Sequence, residues 1–322
     1  MSDSTAAISD PGWERRYERI AFVVMLACFV ALPLGIYPNF GMQLLCFALF
    51  ACAFNLLIGF GGLLSFGHAM FFGMGSYLGA HSALVWGWPI EVAILTGAAT
   101  SMVLGVVSGL IAIRRQGIYF AMITLALAQM VYFFCLRAPF TGGENGILSV
   151  PRTHLLGLID LNQPLAMYYF VLAIFLAGFL LIHRIIHSPF GQVLKAIREN
   201  EPRAVSLGYR TERYKLAAFV LSATLAGLAG ATKAMVAQDA SLTDVYWAMS
   251  GEVVLMTLVG GMGTVFGPVV GAVIIVAMQF YFAELGSWVT ISQGIIFVVC
   301  VLAFRRGIVG ELEAWLRRRN SR

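Results

Sequence analysis

Side chains able to do covalent chemistry are scarce in this 322-residue chain, and their spacing argues against most reactions. Its only lysines, Lys195, Lys215 and Lys233, follow Leu, Tyr and Thr. No Gly-Lys-[Ser/Thr] phosphate cradle exists, so the chain cannot be an ATPase by itself. There is no HExxH pattern and no Ser/His pair placed for nucleophilic work. Cys28, Cys46, Cys52, Cys135 and Cys300 all fall within apolar runs, none in a metal-type CxxC pair, and read as small hydrophobes. No Asp or Glu sits at mid-span; Glu252 and Glu284 lie at the ends of apolar runs. A proton-coupled carrier commonly keeps a carboxylate inside the membrane, so that mechanism is disfavoured. His68 and His81 are expected to hydrogen-bond a neighbouring helix, and Lys233 to snorkel from its run's end. No catalytic residue and no metal site is expected.

Three other constellations suit binding rather than catalysis. In the first, Ser188-Pro189 reads as an N-cap with proline at the first helical position. Phe190, Val193, Leu194 and Ile197 then share one apolar face beside Lys195, Arg198 and Glu199. Asn200-Glu201-Pro202 restarts a short helix, which Gly208 should stop. Such a pair fits either a partner's groove or the bilayer surface. In the second, Gly59, Gly61, Gly62, Ser65, Gly67 and His68 form one break between apolar runs, and Gly260, Gly261 and Gly263 form another. Paired glycine interruptions in two halves suggest a translocation path. Close helix packing is the alternative, because Gly75/Gly79, Gly105/Gly109 and Gly267/Gly271 keep the GxxxG spacing. The third is Thr141-Gly142-Gly143-Glu144-Asn145-Gly146, a glycine-rich loop that exposes backbone groups to a docking protein.

The elements that must position these residues are membrane helices. The chain is 60% hydrophobic and 11% charged, about half the charged share of a soluble domain. Apolar runs at 20–36, 40–58, 68–86, 90–113, 117–136, 164–187, 215–237, 251–262, 265–284 and 289–304 lack the alternation of barrel strands. The runs at 68–86 and 251–262 are glycine-rich and could be broken or re-entrant, so the count is eight to ten segments. Lys and Arg number three before residue 20, two at 114–115, seven from Arg184 to Lys215 and six from Arg305 onward. Ten crossings put all of these on one face, which the positive-inside rule makes cytoplasmic together with both termini. The net charge of +5 therefore reflects topology, and nucleic acid is not an expected partner. The N-terminal run lacks a small-x-small cleavage pattern and reads as a retained span. The expected organisation is a cytoplasmic tail at 1–19, a transmembrane domain at 20–304 and a basic cytoplasmic tail at 305–322.

The segment Glu199-Asn200-Glu201-Pro202-Arg203-Ala204-Val205-Ser206-Leu207-Gly208 resembles the coupling motif of ABC importer permeases, keeping the spacing of Ala204 to Gly208. The acidic residue stands one place early, at Glu201, and Arg203 replaces the motif's first alanine. Asn55–His68, Gln116–Leu125, the Thr141–Gly146 loop and Val259–Thr264 extend the resemblance to permeases of branched-chain amino acid importers over residues 40–304. Urea and short-chain amide permeases look similar. The resemblance implies an all-α polytopic bundle in a bacterial inner membrane. It also implies a second homologous permease, two ABC ATPase subunits that bind ATP and Mg, and a periplasmic solute-binding protein. Glu199, Asn200, Glu201, Ala204 and Gly208 would form the ATPase-coupling loop, and the Thr141–Gly146 loop would face the binding protein. The solute would be Leu, Ile or Val; the rival readings are a urea or amide permease and, behind it, a stand-alone secondary transporter.

Overall fold

A computed structural model describes residues 11–152, 154–155, 159–282 and 307–320, with positions 291, 294, 295, 298 and 302 singly between the last two segments. The apolar run at 289–304, with Cys300, falls outside the described residues except at those single positions, and Glu284 lies outside them entirely. Long helices dominate: α1 (Pro11–Ala31), α2 (Pro38–Asn55), α3 (His68–Leu84), α4 (Ile90–Ala112), α5 (Ile118–Arg137) and α6 (Pro164–Ile186). Two short helices follow, α7 (Pro189–Glu199) and α8 (Glu201–Ser206), then α9 (Thr211–Ala237), α10 (Leu242–Val245), α11 (Trp247–Gly260), α12 (Gly267–Tyr281) and α13 (Gly307–Asn320). Pro38, Pro164 and Pro189 each open a helix, at a position where a missing N–H costs nothing.

Among the described residues, six spans are long and apolar enough to cross a membrane, and α11 and α12 are shorter apolar helices. That is a membrane helical bundle. The sequence at 68–86 left room for a broken element, but α3 is continuous from His68 to Leu84. The break precedes it, as a π-helical turn at Leu56–Phe60 that ends α2. α2 and α9 form the buried centre, with α9 packed against α2, α3 and α4, and α2 against α6 and α12.

Without a hydrophobic drive between helices in lipid, close approach of small residues carries much of the packing. Gly75 and Gly79 lie against Gly227 and Ala231, and Gly105 against Ala223, which seals α3 and α4 onto α9. Gly271 meets the backbone of Met256, which closes α12 on α11. Hydroxyls stitch neighbouring seams, Ser101 Oγ of α4 donating to Phe71 O of α3 at 2.8 Å and Ser250 Oγ of α11 accepting from Ala69 N–H of α3 at 2.9 Å. Small strands lie at the end away from α7 and α8. There β1 (Ile147–Leu148) pairs antiparallel with β4 (Asp239–Ala240), and β2 (His154–Leu155) with β3 (Ile159–Asp160).

Candidate functional site: the α7–α8 pair and the glycine junction

Each feature read from residues 188–208 has a local cause. Ser188 Oγ accepts from the N–H of Gly191 at 3.4 Å, capping α7. Leu194 and Ile197 are buried and Phe190 and Val193 half-buried, so the expected face is the one that packs. Asn200 Oδ1 accepts from Arg203 N–H at 3.0 Å and caps α8. α8 ends with Gly208 N–H on Val205 O at 2.9 Å and Tyr209 N–H on Ala204 O at 3.2 Å, the two bonds of a Schellman turn. That turn needs the left-handed backbone Gly208 adopts, at φ +88°. Ala204 is buried, whereas Val205, Leu207 and Tyr209 are exposed, so α8 and the turn after it offer three largely apolar side chains outward.

Two charged contacts absent from the sequence reading fix the pair to the bundle. Glu201 Oε2 accepts from Lys215 Nζ at 2.6 Å, and the Lys215 side chain is only 6% exposed. Arg198 of α7 donates to the carbonyl of Gly59, inside the π-helical turn. Just past that turn, Leu194 packs beside Gly61 and the Arg198 stem beside Gly62, whose φ is +68°. Asn55 then crosses to the second glycine segment: its Nδ2 donates to Thr264 O at 2.8 Å and its Oδ1 accepts from Gly263 N–H at 3.0 Å. Gly59, Gly61, Gly62 and Gly263 thus meet at one junction beside α7.

The remaining expected residues lie elsewhere. Ser65 is buried and its Oγ accepts from Gly67 N–H at 3.3 Å; Gly67 touches the Thr124 backbone of α5. His68 bonds Ser222 of α9, Nε2 to Oγ at 2.8 Å, and Ser222 donates onward to Ala53 O at 2.5 Å. Because Ser222 spends its proton on that carbonyl, His68 donates through Nε2, as expected of a histidine bonded to a neighbouring helix. Gly260 and Gly261 pack against α12 and α13, facing Gly267 and Gly307.

The Thr141–Gly146 loop lies at the opposite end. Thr141 is buried and donates to Ala138 O at 2.7 Å, Gly146 packs on Ala240, and Glu144 and Asn145 are exposed. Lys233 does not snorkel. It bonds Asp244 at 2.9 Å and Asp239 at 3.2 Å, because its position on α9 turns it toward α10 instead of lipid. Burial pushes the Asp244 carboxyl above its ordinary range, while Lys233 pulls against that shift. Glu252 lies inside α11, not at its end, and accepts from Gln279 of α12 at 3.0 Å.

A bundle of apolar helices, two of them shorter, with a capped helix pair at one end is the architecture of a multi-pass membrane protein. Residues 37–304 match the family described as branched-chain amino acid transport system / permease component, and the chain belongs to that family. It is 26% identical over 255 residues to the high-affinity branched-chain amino acid transport system permease protein LivM of Escherichia coli (strain K12), covering 72% of this chain and 59% of that protein. The LivM of Salmonella typhimurium is 26% identical over 228 residues, covering 64% of this chain and 54% of that one. A probable branched-chain amino acid transport permease protein LivM of Methanocaldococcus jannaschii is 24% identical over 229 residues, with 70% and 65% covered. The chain spans less than two-thirds of the length of these curated relatives. No solved structure matches it.

Proposed function

We propose that this chain is the transmembrane permease subunit of an ABC importer for branched-chain amino acids in a bacterial inner membrane. Family membership supports the class, and the names of the relatives support the substrate. The observation that carries the mechanism is the α7–α8 pair, capped at both helix starts, tied inward by Lys215 and Gly59, and presenting Val205, Leu207 and Tyr209 outward. An apolar helical knob held by rigid contacts suits the groove of a partner that moves. Two ATPases that bind ATP and Mg would dock there, and closure would pass to the bundle as a rigid-body shift. A second homologous permease would complete the path, and a periplasmic binding protein would meet Glu144 and Asn145.

In this reading the glycine junction transmits motion from α7 to α2 through Gly59, and to the link between α11 and α12 through Asn55. The Gly59–His68 and Gly260–Gly263 segments would border the translocation path where the second permease packs. If all ten apolar runs cross and both termini are cytoplasmic, α7, α8 and the junction would lie on the inner side and the Thr141–Gly146 loop on the outer.

The test is co-reconstitution of this chain with its partner permease, ATPases and binding protein. Uptake of labelled Leu should compete with unlabelled Ile and Val but not with urea or acetamide. Concentrative uptake by this chain alone would overturn the proposal, and competition by urea would move it to the amide permeases.

A further inference from the structure

α1 stands apart from the rest of the bundle. It is almost unburied and precedes the family-matched residues, which begin at 37. It leans on α6 through Phe22 against Phe179 and Phe29 against Phe175. Beyond those rings, near the end that carries α7, a polar cluster joins the two helices. Glu18 of α1 faces His183 and His187, which are one turn apart at the end of α6 and share a face. Glu18 Oε2 lies 3.4 Å from His183 Nε2, and Glu18 Oε1 lies 3.4 Å from His187 Nε2. One donor atom from each residue falls within 4.8 Å of the others.

Two details point to an ion between these groups. The first is the tautomer. His187 Nδ1 lies 2.9 Å from the His183 carbonyl, which can only accept, so Nδ1 carries the hydrogen. Its Nε2 then faces a carboxylate oxygen, a contact that needs a positive centre, either the ring's own second proton or a metal ion. A carbonyl that fixes one ring nitrogen and aims the other is also the usual support of a metal-binding histidine. The second is the distance. A charge-assisted N–H···O bond is about 2.7–2.9 Å long, and both contacts are longer. For zinc bonds of about 2.0–2.1 Å in a tetrahedron the ligand-to-ligand edge is about 3.3–3.4 Å; the two contacts use different oxygens of Glu18, and one oxygen together with both rings lies within 4.8 Å, so the three ligands would close slightly around the ion.

We propose that Glu18, His183 and His187 bind a divalent transition-metal ion of the zinc class, clipping α1 to α6. Two imidazoles and one carboxylate suit such an ion and not calcium or magnesium, which take oxygen ligands. A cavity of about 530 Å³ adjoins the cluster, lined by Arg19, Phe22, Leu180 and Phe266 besides the three ligands, and leaves the fourth position to water. The site is independent of the transport reading, because it concerns how α1 is attached.

Cobalt(II) and zinc titration of the purified full chain in nanodiscs tests this directly. Binding of one ion per chain is expected, with the visible absorption of tetrahedral cobalt displaced by zinc. His187→Ala and Glu18→Gln should each weaken binding at least about tenfold, since even loss of a supporting residue costs about that much. His154→Ala, at the far end of the bundle, should leave it unchanged. His187→Cys separates the proposal from a proton-bridged pair: a thiolate still binds zinc but forms no imidazolium. Retained zinc binding in His187→Cys supports the site. Absence of the cobalt spectrum in the wild type, or equal binding in wild type and Glu18→Gln, overturns it.

Discussion

The Glu201–Lys215 pair gives the sharpest test of the coupling proposal. Lys215 lies in the first turns of α9 with its side chain 6% exposed, while Glu201 is 21% exposed. Removing one partner of a fully buried pair costs about 3–5 kcal/mol, because the other charge is left without compensation. Water reaching Glu201 reduces that figure, and about 2 kcal/mol is a reasonable scale here. Glu201→Gln should therefore shift the ratio of docked to undocked α8 about 30-fold, at about 1.4 kcal/mol per factor of ten. Glu201→Lys should do more. It sets one ammonium against another, and it places a cation at the first turn of α8, where the helix dipole favours an anion.

The assay is ATP hydrolysis by the reconstituted complex, with and without loaded binding protein, alongside co-purification of the ATPases. Both variants should insert and pair with the partner permease. Stimulation should fall in Glu201→Gln and nearly vanish in Glu201→Lys. The double variant Glu201→Gln/Lys215→Met leaves no buried charge and should recover much of the loss. If the loop merely rested on anionic lipid, Glu201→Lys would strengthen its attachment. Near-wild-type stimulation in Glu201→Lys, or no recovery in the double variant, would refute the argument.

Other variants probe the remaining parts. Gly208→Val should cost about 1 kcal/mol or more through its φ of +88° alone, since nothing lies within 4 Å of the added carbon. Gly208→Asn, which tolerates that backbone, should retain most coupling. Arg198→Ala frees the Gly59 carbonyl and should reduce stimulated ATP hydrolysis without reducing ATPase binding. Gly271→Ala should lower the melting temperature of the purified chain strongly, because the carbon would collide with the Met256 backbone, while Gly251→Ala, with open space around it, should be tolerated. A cysteine at Asn145 should react with impermeant reagents from the outside, and bulky labels there should weaken docking of the binding protein. Reaction only from the cytoplasm would overturn the topology.

Much of this was legible because it depended on local rules. Capping at Ser188, the helix restart at Asn200-Glu201-Pro202, the buried face from Phe190 to Ile197 and the stop at Gly208 each follow from a few neighbouring residues. The GxxxG pairs were legible as packing signals for the same reason, although not their partners on α9 and α11. What stayed hidden were contacts across long stretches of sequence. Arg198 and Gly59 are 139 positions apart, and Asn55 and Gly263 are 208 apart. Lys233 read as a snorkelling cation because hydropathy records distance from a run's end but not the direction a side chain faces. Glu252 read as terminal because the apolar run begins at 251, whereas the helix begins at Trp247.

The π-helical turn explains why the junction sits where it does. A wider turn at Leu56–Phe60 disturbs the regular backbone ladder, and Gly59 has no side chain to cover its carbonyl. Arg198 occupies that carbonyl, so the end of α2 is completed by a residue of α7 and not by its own next turn. Asn55, at the last regular position of α2, bonds both ways to the link between α11 and α12. A carbon at Gly59 would collide with Asn55 and with the backbone of Gly263, so the three segments approach only because that position is glycine. Moving α7 without moving α2 would therefore leave a carbonyl and a guanidinium unpaired in a partly buried site. Charge-assisted hydrogen bonds contribute about 1.5–3 kcal/mol each, enough to make joint movement the lower-energy course. Gly59→Ala should then uncouple the two even with α7 and α8 intact. ATPases should still bind and hydrolyse ATP at their basal rate, while solute uptake per ATP falls. Wild-type uptake in Gly59→Ala would mean that force reaches the bundle by another route.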